Sequence, residues 1–318
     1  MNYLRFLARR AAFALVSALA VVTAVFLLIN RLVKQELGGI LAQARYGGAS
    51  PEEIRRLREE FLTRRNLKEP VYERYADWLV DVATLDWGYS FAYDQPVIAV
   101  IDGRVPTTLE YVLPGVLLAV LLGVPLGLFA ALDKDGVLDR SARVSTYALL
   151  GVPAFMLIIY YFRLSGVGLG TIAGVDVVAP TLHPQVLAAL TVASSLLAGQ
   201  VRFSRTAAIE RTGRAFVKML RAKGANKLRL ARHVLRNAAL PIVSLSVSEL
   251  LAVLMLDIYV VEAVLGIDGL AVASLSAVRK SDMALVIWTT MVLVVLGITG
   301  NFLQDALYGY LDPRIHAD

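Results

Sequence analysis

The chain has no cysteine among its 318 residues, which excludes disulfides, thiolate metal sites and cysteine nucleophiles. Its three histidines, His183, His233 and His316, lie far apart and form no H-x-x-x-H or H-E-x-x-H pair, so no dedicated transition-metal site is expected. No Gly-Lys dipeptide occurs, so the G-x-x-x-x-G-K-[ST] phosphate loop is missing and the chain is not itself a P-loop ATPase. There is also no G-x-S-x-G elbow and no carboxylate pair with a histidine, so no catalytic residue and no enzyme activity is expected. Charge is scarce as well. Only 18% of residues are charged against 57% hydrophobic, with a mean hydropathy of +0.63, too apolar for a soluble domain of this length. The composition points to a membrane.

A hydrocarbon core of about 30 Å needs roughly 20 apolar residues in a helix. Six stretches meet that need: Ala11 to Asn30, Val105 to Leu132, Val144 to Phe162, Pro184 to Val201, Ala238 to Leu265 and Met283 to Gln304. The first follows Arg5, Arg9 and Arg10 but is long for a leader and lacks a small-x-small cleavage site, so it reads as a retained span. The fourth is short and polar at Ser194 and Ser195, and the fifth holds Glu249, Asp257 and Glu262. The expected fold is an all-α integral membrane protein with six transmembrane helices. Its parts are an N-terminal span (1–30), an extracytoplasmic helical segment (31–104), a five-helix core (105–308) and a tail (309–318).

Orientation follows from Lys and Arg, which are retained in the cytoplasm when they lie in short connections. Arg202 to Arg236 carries eleven basic residues against one acid, Glu210, so the 202–237 loop is expected inside. Six crossings then place both termini inside and residues 31–104 outside; long segments translocate largely regardless of charge. The outer segment carries folding signals. Ser50-Pro51-Glu52-Glu53 reads as an N-cap, an N1 proline and a capping-box glutamate, opening a helix to about Arg65, and Val71 to Val82 is a second amphipathic stretch.

Eleven cations in one loop could set topology, bind anionic lipid or nucleic acid, or meet a protein partner, and composition does not choose. The order of residues favours a partner. Phe216-Val217-Lys218-Met219-Leu220-Arg221-Ala222-Lys223-Gly224 is a short amphipathic helix ended by a glycine suited to the left-handed cap.

Arg221-Ala222-Lys223-Gly224 followed by Arg232-His233-Val234-Leu235-Arg236-Asn237-Ala238-Ala239-Leu240-Pro241 resembles the cytoplasmic loop of permease subunits of binding-protein-dependent ABC importers. The match is to the oligopeptide/dipeptide/nickel branch, whose loop runs A-R-A-K-G and then R-H-A-L-R-N-A-L-L-P. Ser50-Pro51-Glu52-Glu53-Ile54, Arg104-Val105-Pro106-Thr107-Thr108-Leu109-Glu110, Leu138-Asp139-Arg140 and the tail Asn301 to Ile315 with Asp305, Tyr308, Asp312, Pro313 and Arg314 are similar to further segments of that branch.

The resemblance implies a type I ABC importer permease in a prokaryotic inner membrane, forming half of a path for peptides or a similar solute. Its implied partners are a second homologous permease, one or two ABC ATPase subunits, an extracytoplasmic substrate-binding protein and membrane lipid, with no nucleic acid. It implies no cofactor in this chain; ATP and Mg would be bound by the ATPase subunits. The implied ATPase-coupling residues are Phe216, Lys218, Met219, Leu220, Arg221, Ala222, Lys223, Gly224 and Ala225. Three departures stand out: the small residues usual before the glycine are Lys218-Met219-Leu220, the A-P-G-D-P after the first span is Val33-Lys34-Gln35-Glu36-Leu37, and the outer P-G-L-G is Ile267-Asp268-Gly269-Leu270.

Glu249 and Asp257 lie within an apolar span, where an ionised side chain costs about 2.5 to 3.5 kcal/mol, so both are expected to face protein or water and are pathway candidates. A structural hydrogen bond to the partner subunit or a place in the outer interface is the competing reading for each, and Glu262 is expected to anchor the outer end of its span. Gly123-Val124-Pro125-Leu126-Gly127 is a small-x-x-x-small pair suited to close helix packing. Pro125 and Pro153 are expected to kink their helices or to create a hinge. An ion-coupled secondary transporter or channel using Glu249 and Asp257 is one alternative function. A membrane-anchored interaction protein is another, and oligosaccharide or nickel are alternative solutes.

Overall fold

The computed structural model describes residues 3–64, 67–164 and 182–311. The elements are α1 (Tyr3–Tyr46), α2 (Pro51–Arg64), α3 (Val71–Thr84), β1 (Tyr89–Ser90), β2 (Gln95–Pro96), α4 (Val97–Leu132), α5 (Val137–Gly151), α6 (Ala154–Leu164), α7 (Pro184–Thr212), α8 (Ala215–Ala222), α9 (Lys227–Leu265), α10 (Leu270–Arg279) and α11 (Met283–Leu311). Four helices, α1, α4, α7 and α11, are each long and apolar enough to cross a membrane. The number rises to six if two bent pairs each count as one span.

One bent pair is α5 and α6, which meet at Val152 and Pro153. Proline removes a backbone donor and excludes helical geometry from the residue before it, and Val152 is extended (φ −108°, ψ 112°). The expected third span is therefore two helices, not one kinked helix. The other pair, residues 255–265 of α9 with α10, turns through 82° at Gly266, which is left-handed. Helix α10 has no counterpart among the six expected spans.

Two expected boundaries fall inside helices. Helix α1 continues sixteen residues past Asn30 to Tyr46, and α4 begins at Val97, before the expected Val105. The first span and the outer segment thus share one rod of 44 residues, about 66 Å at 1.5 Å per residue. At the end of α1 the chain turns back into α2, whose capping box forms as expected: the Ser50 N–H donates to Glu53 Oε2 at 2.8 Å and the Glu53 N–H to Ser50 Oγ at 3.3 Å. These bonds hold the Glu53 carboxyl below its usual range. Helix α3 then lies against α1, joined by Tyr75 to Thr23 at 2.6 Å and by Arg74 Nη1 donating to Asn30 Oδ1 at 2.7 Å.

Helices α4 and α7 form the centre of the bundle, and glycine explains how closely they approach. A Cβ on Gly115 would come within 2.8 Å of the Ala189 carbonyl oxygen, one on Gly123 within 2.6 Å of Gln200 Cβ, and one on Gly127 would overlap Ser204 Oγ. The small-x-x-x-small pair is a packing surface, extended one level by Gly115. Helix α9 closes this pair through Tyr111, Val192, Leu196, Ile258 and Val261, all buried.

The β1–β2 hairpin is tied to α11 by one aspartate. Asp282, 2% exposed, accepts from Ser90 Oγ (2.6 Å), from the Ala92 N–H (3.0 Å) and from the Leu285 N–H (3.1 Å). It caps α11 and holds the β1–β2 hairpin at once. Trp78, Trp87 and Trp288 stack beside it with centroid distances of 5.1 and 4.5 Å. Trp288 is a buried core residue, so its ring serves packing.

Candidate functional site

Helix α8 has only eight residues, about 12 Å, too short to persist alone in water. Tertiary packing holds it. Val217 is fully buried among Leu128 and Ala131 of α4, Ala208 of α7 and Leu230, Ala231 and Val234 of α9, with Phe216, Leu220 and Ala225 packed against the same cluster. The opposite face, Lys218, Met219, Arg221, Ala222 and Lys223, is exposed.

This division refines the expected coupling set. Phe216, Leu220 and Ala225 are half-buried against the bundle, while Lys218, Met219, Arg221, Ala222 and Lys223 are exposed. Of the bulky Lys218-Met219-Leu220 departure, Lys218 and Met219 are exposed and Leu220 is half-buried against the cluster.

Gly224 ends the helix in the left-handed region at φ +74°, with its N–H donating to the Arg221 carbonyl and the Ala225 N–H reaching back to the Leu220 carbonyl at 3.0 Å. A side chain there is disfavoured by backbone sterics even though nothing lies within 4 Å of a Cβ. Two residues on, Asn226 caps α9 by accepting from the Arg229 N–H at 2.9 Å. The turn is therefore short and defined at both ends.

Side-chain bonds brace the bundle behind α8. Asp139 is fully buried at the start of α5 and accepts two N–H bonds from Arg205 of α7 while also accepting from the Asp135 N–H at 3.0 Å; Arg143 lies at 3.6 Å. Lys227, at the first turn of α9, lies 3.7 Å from Asp133, just past the end of α4. Between them a cleft of about 440 Å³ is lined by Asp133, Lys134, Ile209, Thr212 and Arg221. A displacement of α8 would thus be felt in α4, α7 and α9 together. Asp139 stood in a quoted motif, but Arg205 is 66 positions away and no local pattern links the two.

At the opposite end, Glu262 is fully buried in α9, as expected of an anchor. Its Oε1 accepts from Thr108 Oγ1 (2.6 Å) and the Tyr111 hydroxyl (3.1 Å), and its Oε2 from the Val272 N–H (2.9 Å). Thr108 Oγ1 in turn accepts from the Leu270 N–H at 2.9 Å. This one carboxylate fixes the sharp α9–α10 turn to α4. Nearby, Arg104 grips Asp268 with two N–H bonds of 3.2 and 3.1 Å.

Asp257 lies at the α7–α9 seam, where Ser195 hydrogen-bonds its side chain. Its Oδ2 is buried with no partner among the described residues. Glu249 occupies a helical position of α9, and its side chain lies outside the described residues. His316, Asp312, Pro313 and Arg314 of the tail also lie outside them. Among the described residues no group of three or more His, Asp or Glu side chains is placed to hold a metal ion.

The sequence relatives agree with this architecture. The oligopeptide transport system permease protein AppB of Bacillus subtilis is 27% identical over 268 residues, covering 81% of this chain and 84% of that protein. A Brucella suis permease named for a peptide transport system is 31% identical over 281 residues, covering 85% and 87%. The dipeptide transport system permease protein DppB of Bacillus subtilis is 27% identical over 252 residues, covering 79% and 81%. Residues 123–317, which run from the middle of α4 through α8 and its packing partners to the tail, match the family described as binding-protein-dependent transport system inner membrane component. The chain therefore belongs to that family and is a membrane-embedded permease subunit of an ABC importer with the type I permease fold.

Proposed function

We propose that this permease forms half of the translocation path of an ATP-driven peptide importer, with α8 as the helix that an ATPase subunit grips. The observation that carries the reading is the two-sided construction of α8. One face is sunk into the ends of α4, α7 and α9, and the other presents Lys218, Met219, Arg221 and Lys223 without any covering element among the described residues. An apolar side chain set among cations suits a groove with an acidic rim.

In this reading both ends of the chain and α8 are cytoplasmic, α2 and α3 are extracytoplasmic, and a second homologous permease supplies the other half of the path. ATP and Mg bind the ATPase subunits, and a substrate-binding protein delivers solute at the outer face. Closure of the ATPase pair moves α8, and the Asp139–Arg205 and Asp133–Lys227 pairs pass that motion to α5, α7, α4 and α9. Asp257, in the seam between α7 and α9, is a pathway residue whose free carboxylate oxygen contacts solute or water during the cycle. Peptide is the solute class named for the relatives, and it is adopted here on that basis.

Co-expression with candidate ATPase and binding-protein subunits tests the assignment. The permease should co-purify with an ATPase, and reconstituted vesicles should take up peptide only with ATP and the binding protein. Lys223→Glu should reduce uptake while leaving membrane insertion intact. Peptide uptake without any ATPase, or unimpaired uptake in Lys223→Glu, contradicts it.

A further inference from the structure

Two cavities adjoin along α1 between Phe26 and Gln35, where its uncharged run ends, and they are opposite in charge. One, about 410 Å³, is lined by Leu27, Asn30, Arg31, Lys34 and Gln35 of α1 with Val71 of α3. Its α1 residues recur at i, i+3, i+4, i+7 and i+8, one helical face. Arg31 and Lys34 are exposed and form no ion pair among the described residues. The other, about 280 Å³, has an aromatic wall of Phe26 and Trp78 and carries Glu69, Asp77 and Asp81 against a single cation, Arg74. Asn30 borders both cavities.

The acidic cavity is incomplete in its hydrogen bonding. Arg74 Nε and Trp78 Nε1 are buried donors without an acceptor among the described residues. A buried donor left without an acceptor costs about 1 to 3 kcal/mol, so a group bringing oxygen acceptors would be stabilised there. Burial pushes the Asp81 carboxyl up, and the neighbouring Asp86 and Asp77 push it the same way, as expected where negative charge lacks enough compensating cation.

Depth selects the ligand. Residues 11–30 are uncharged and long enough at 1.5 Å each to span about 30 Å, and Arg31 and Lys34 follow, so the two cavities lie where the apolar run of α1 gives way to charge, the level at which headgroups are expected. A basic cleft and an acidic aromatic pocket, side by side at that level, match a molecule with a phosphate and a primary ammonium a short linker apart.

We infer that the α1–α3 junction binds the headgroup of an aminophospholipid, with its phosphate on Arg31 and Lys34 and its ammonium among Glu69, Asp77 and Asp81. Lipid oxygens supply acceptors for the Arg74 and Trp78 donors after a modest side-chain rotation. The site would seat the outer segment on the membrane surface and fix its position relative to the span.

The test is competitive lipid retention. The full-length chain, in its complex with partner subunits, is delipidated in detergent and offered equal amounts of phosphatidylethanolamine, phosphatidylcholine and phosphatidylglycerol. Bound lipid is then read by mass spectrometry. Phosphatidylethanolamine should be enriched several-fold over both others. The double variant Asp77→Asn/Asp81→Asn should lose that preference, and Arg31→Gln/Lys34→Gln should retain less of every phospholipid; unchanged helix content and elution volume establish that each is folded.

In the unaltered protein, free phosphoethanolamine should compete with bound phosphatidylethanolamine and dialanine should not. Equal retention of the three lipids overturns the inference, and so does a preference that survives both double variants. Enrichment of phosphatidylglycerol would leave only the basic cleft active and refute the ammonium site. Displacement by dialanine but not by phosphoethanolamine would reassign the junction to peptide and refute the lipid assignment.

Discussion

Gly224 is where backbone geometry, rather than packing, sets a requirement on the turn that follows α8, which we propose couples the permease to its ATPase. Its φ of +74° lies in the left-handed region, and no atom lies within 4 Å of a Cβ built there. A substitution therefore meets no collision inside the chain, and its cost is conformational: about 1 to 2 kcal/mol for an ordinary L-residue, less for Asn and more for a β-branched one. One to two kcal/mol changes a two-state population by about 5- to 30-fold. Gly224→Asn should thus retain most transport, Gly224→Ala should lose several-fold, and Gly224→Val should lose most of it. ATP hydrolysis by the assembled complex should persist in all three, because this chain carries no G-x-x-x-x-G-K-[ST] phosphate loop and the proposal puts the nucleotide on the ATPase subunits. Parallel measurement of peptide uptake and ATP hydrolysis in proteoliposomes, at matched subunit content, reads both quantities. If Gly224→Val transports as well as Gly224→Asn, the left-handed turn has no role in coupling and the reasoning fails.

Other consequences concern the frame around that turn. Gly127→Ala places a methyl group against Ser204 Oγ and the Val201 carbonyl, so overpacking of about 1 to 3 kcal/mol should lower the midpoint of thermal unfolding in detergent. Asp139→Asn weakens the grip on Arg205, which is only 19% exposed, and should reduce uptake and thermal stability together, by about 2 to 3 kcal/mol in stability; a double-mutant cycle with Arg205→Gln gives the coupling energy. For Asp282, burial alone would push the carboxyl up, but bonds from Ser90, Ala92, Leu285 and Phe91 outweigh it and hold the group below its usual range. A carboxyl lowered by folding contributes stability above its unfolded pKa of about 3.9 and loses it as pH falls through the lower folded value. Hydrogen exchange across residues 89–96 should therefore accelerate below about pH 4 after correction for intrinsic rates, and Asp282→Asn should flatten that dependence.

Features encoded within a few residues were legible in the sequence. The Ser50–Glu53 capping box, the amphipathic α3 and the glycine that ends α8 each depend on neighbours three or four positions away, and each forms at the expected place. Helix length was less legible. The apolar run of α1 stops at Arg31, but Leu32, Val33, Lys34, Gln35, Glu36 and Leu37 all tolerate a helix, so the backbone continues although the hydropathy does not. Helix α10 was missed because its mixed run Leu270–Arg279 is too short for a span and is held by Glu262 through Val272 rather than by its own periodicity.

The site divided in the same way. The family motif located α8, but which of its residues point inward depends on Leu128, Ala208 and Val234 from three other helices. Asp139 with Arg205, Glu262 with Thr108 and Arg104 with Asp268 are separated by 66, 154 and 164 positions, and no repeat in the chain relates them. Asp257 was marked by charge in an apolar span alone, and its place in the α7–α9 seam required the fold.

Labelling of a single thiol tests the central claim most directly. Because the chain has no cysteine, Met219→Cys introduces its only thiol, on the exposed face of α8. A membrane-impermeant maleimide should leave it unlabelled in intact cells and label it in inverted membrane vesicles when the permease is expressed without ATPase subunits. Co-expression of the ATPase should protect it. Labelling from outside the cell, or equal labelling with and without the ATPase, would contradict the account.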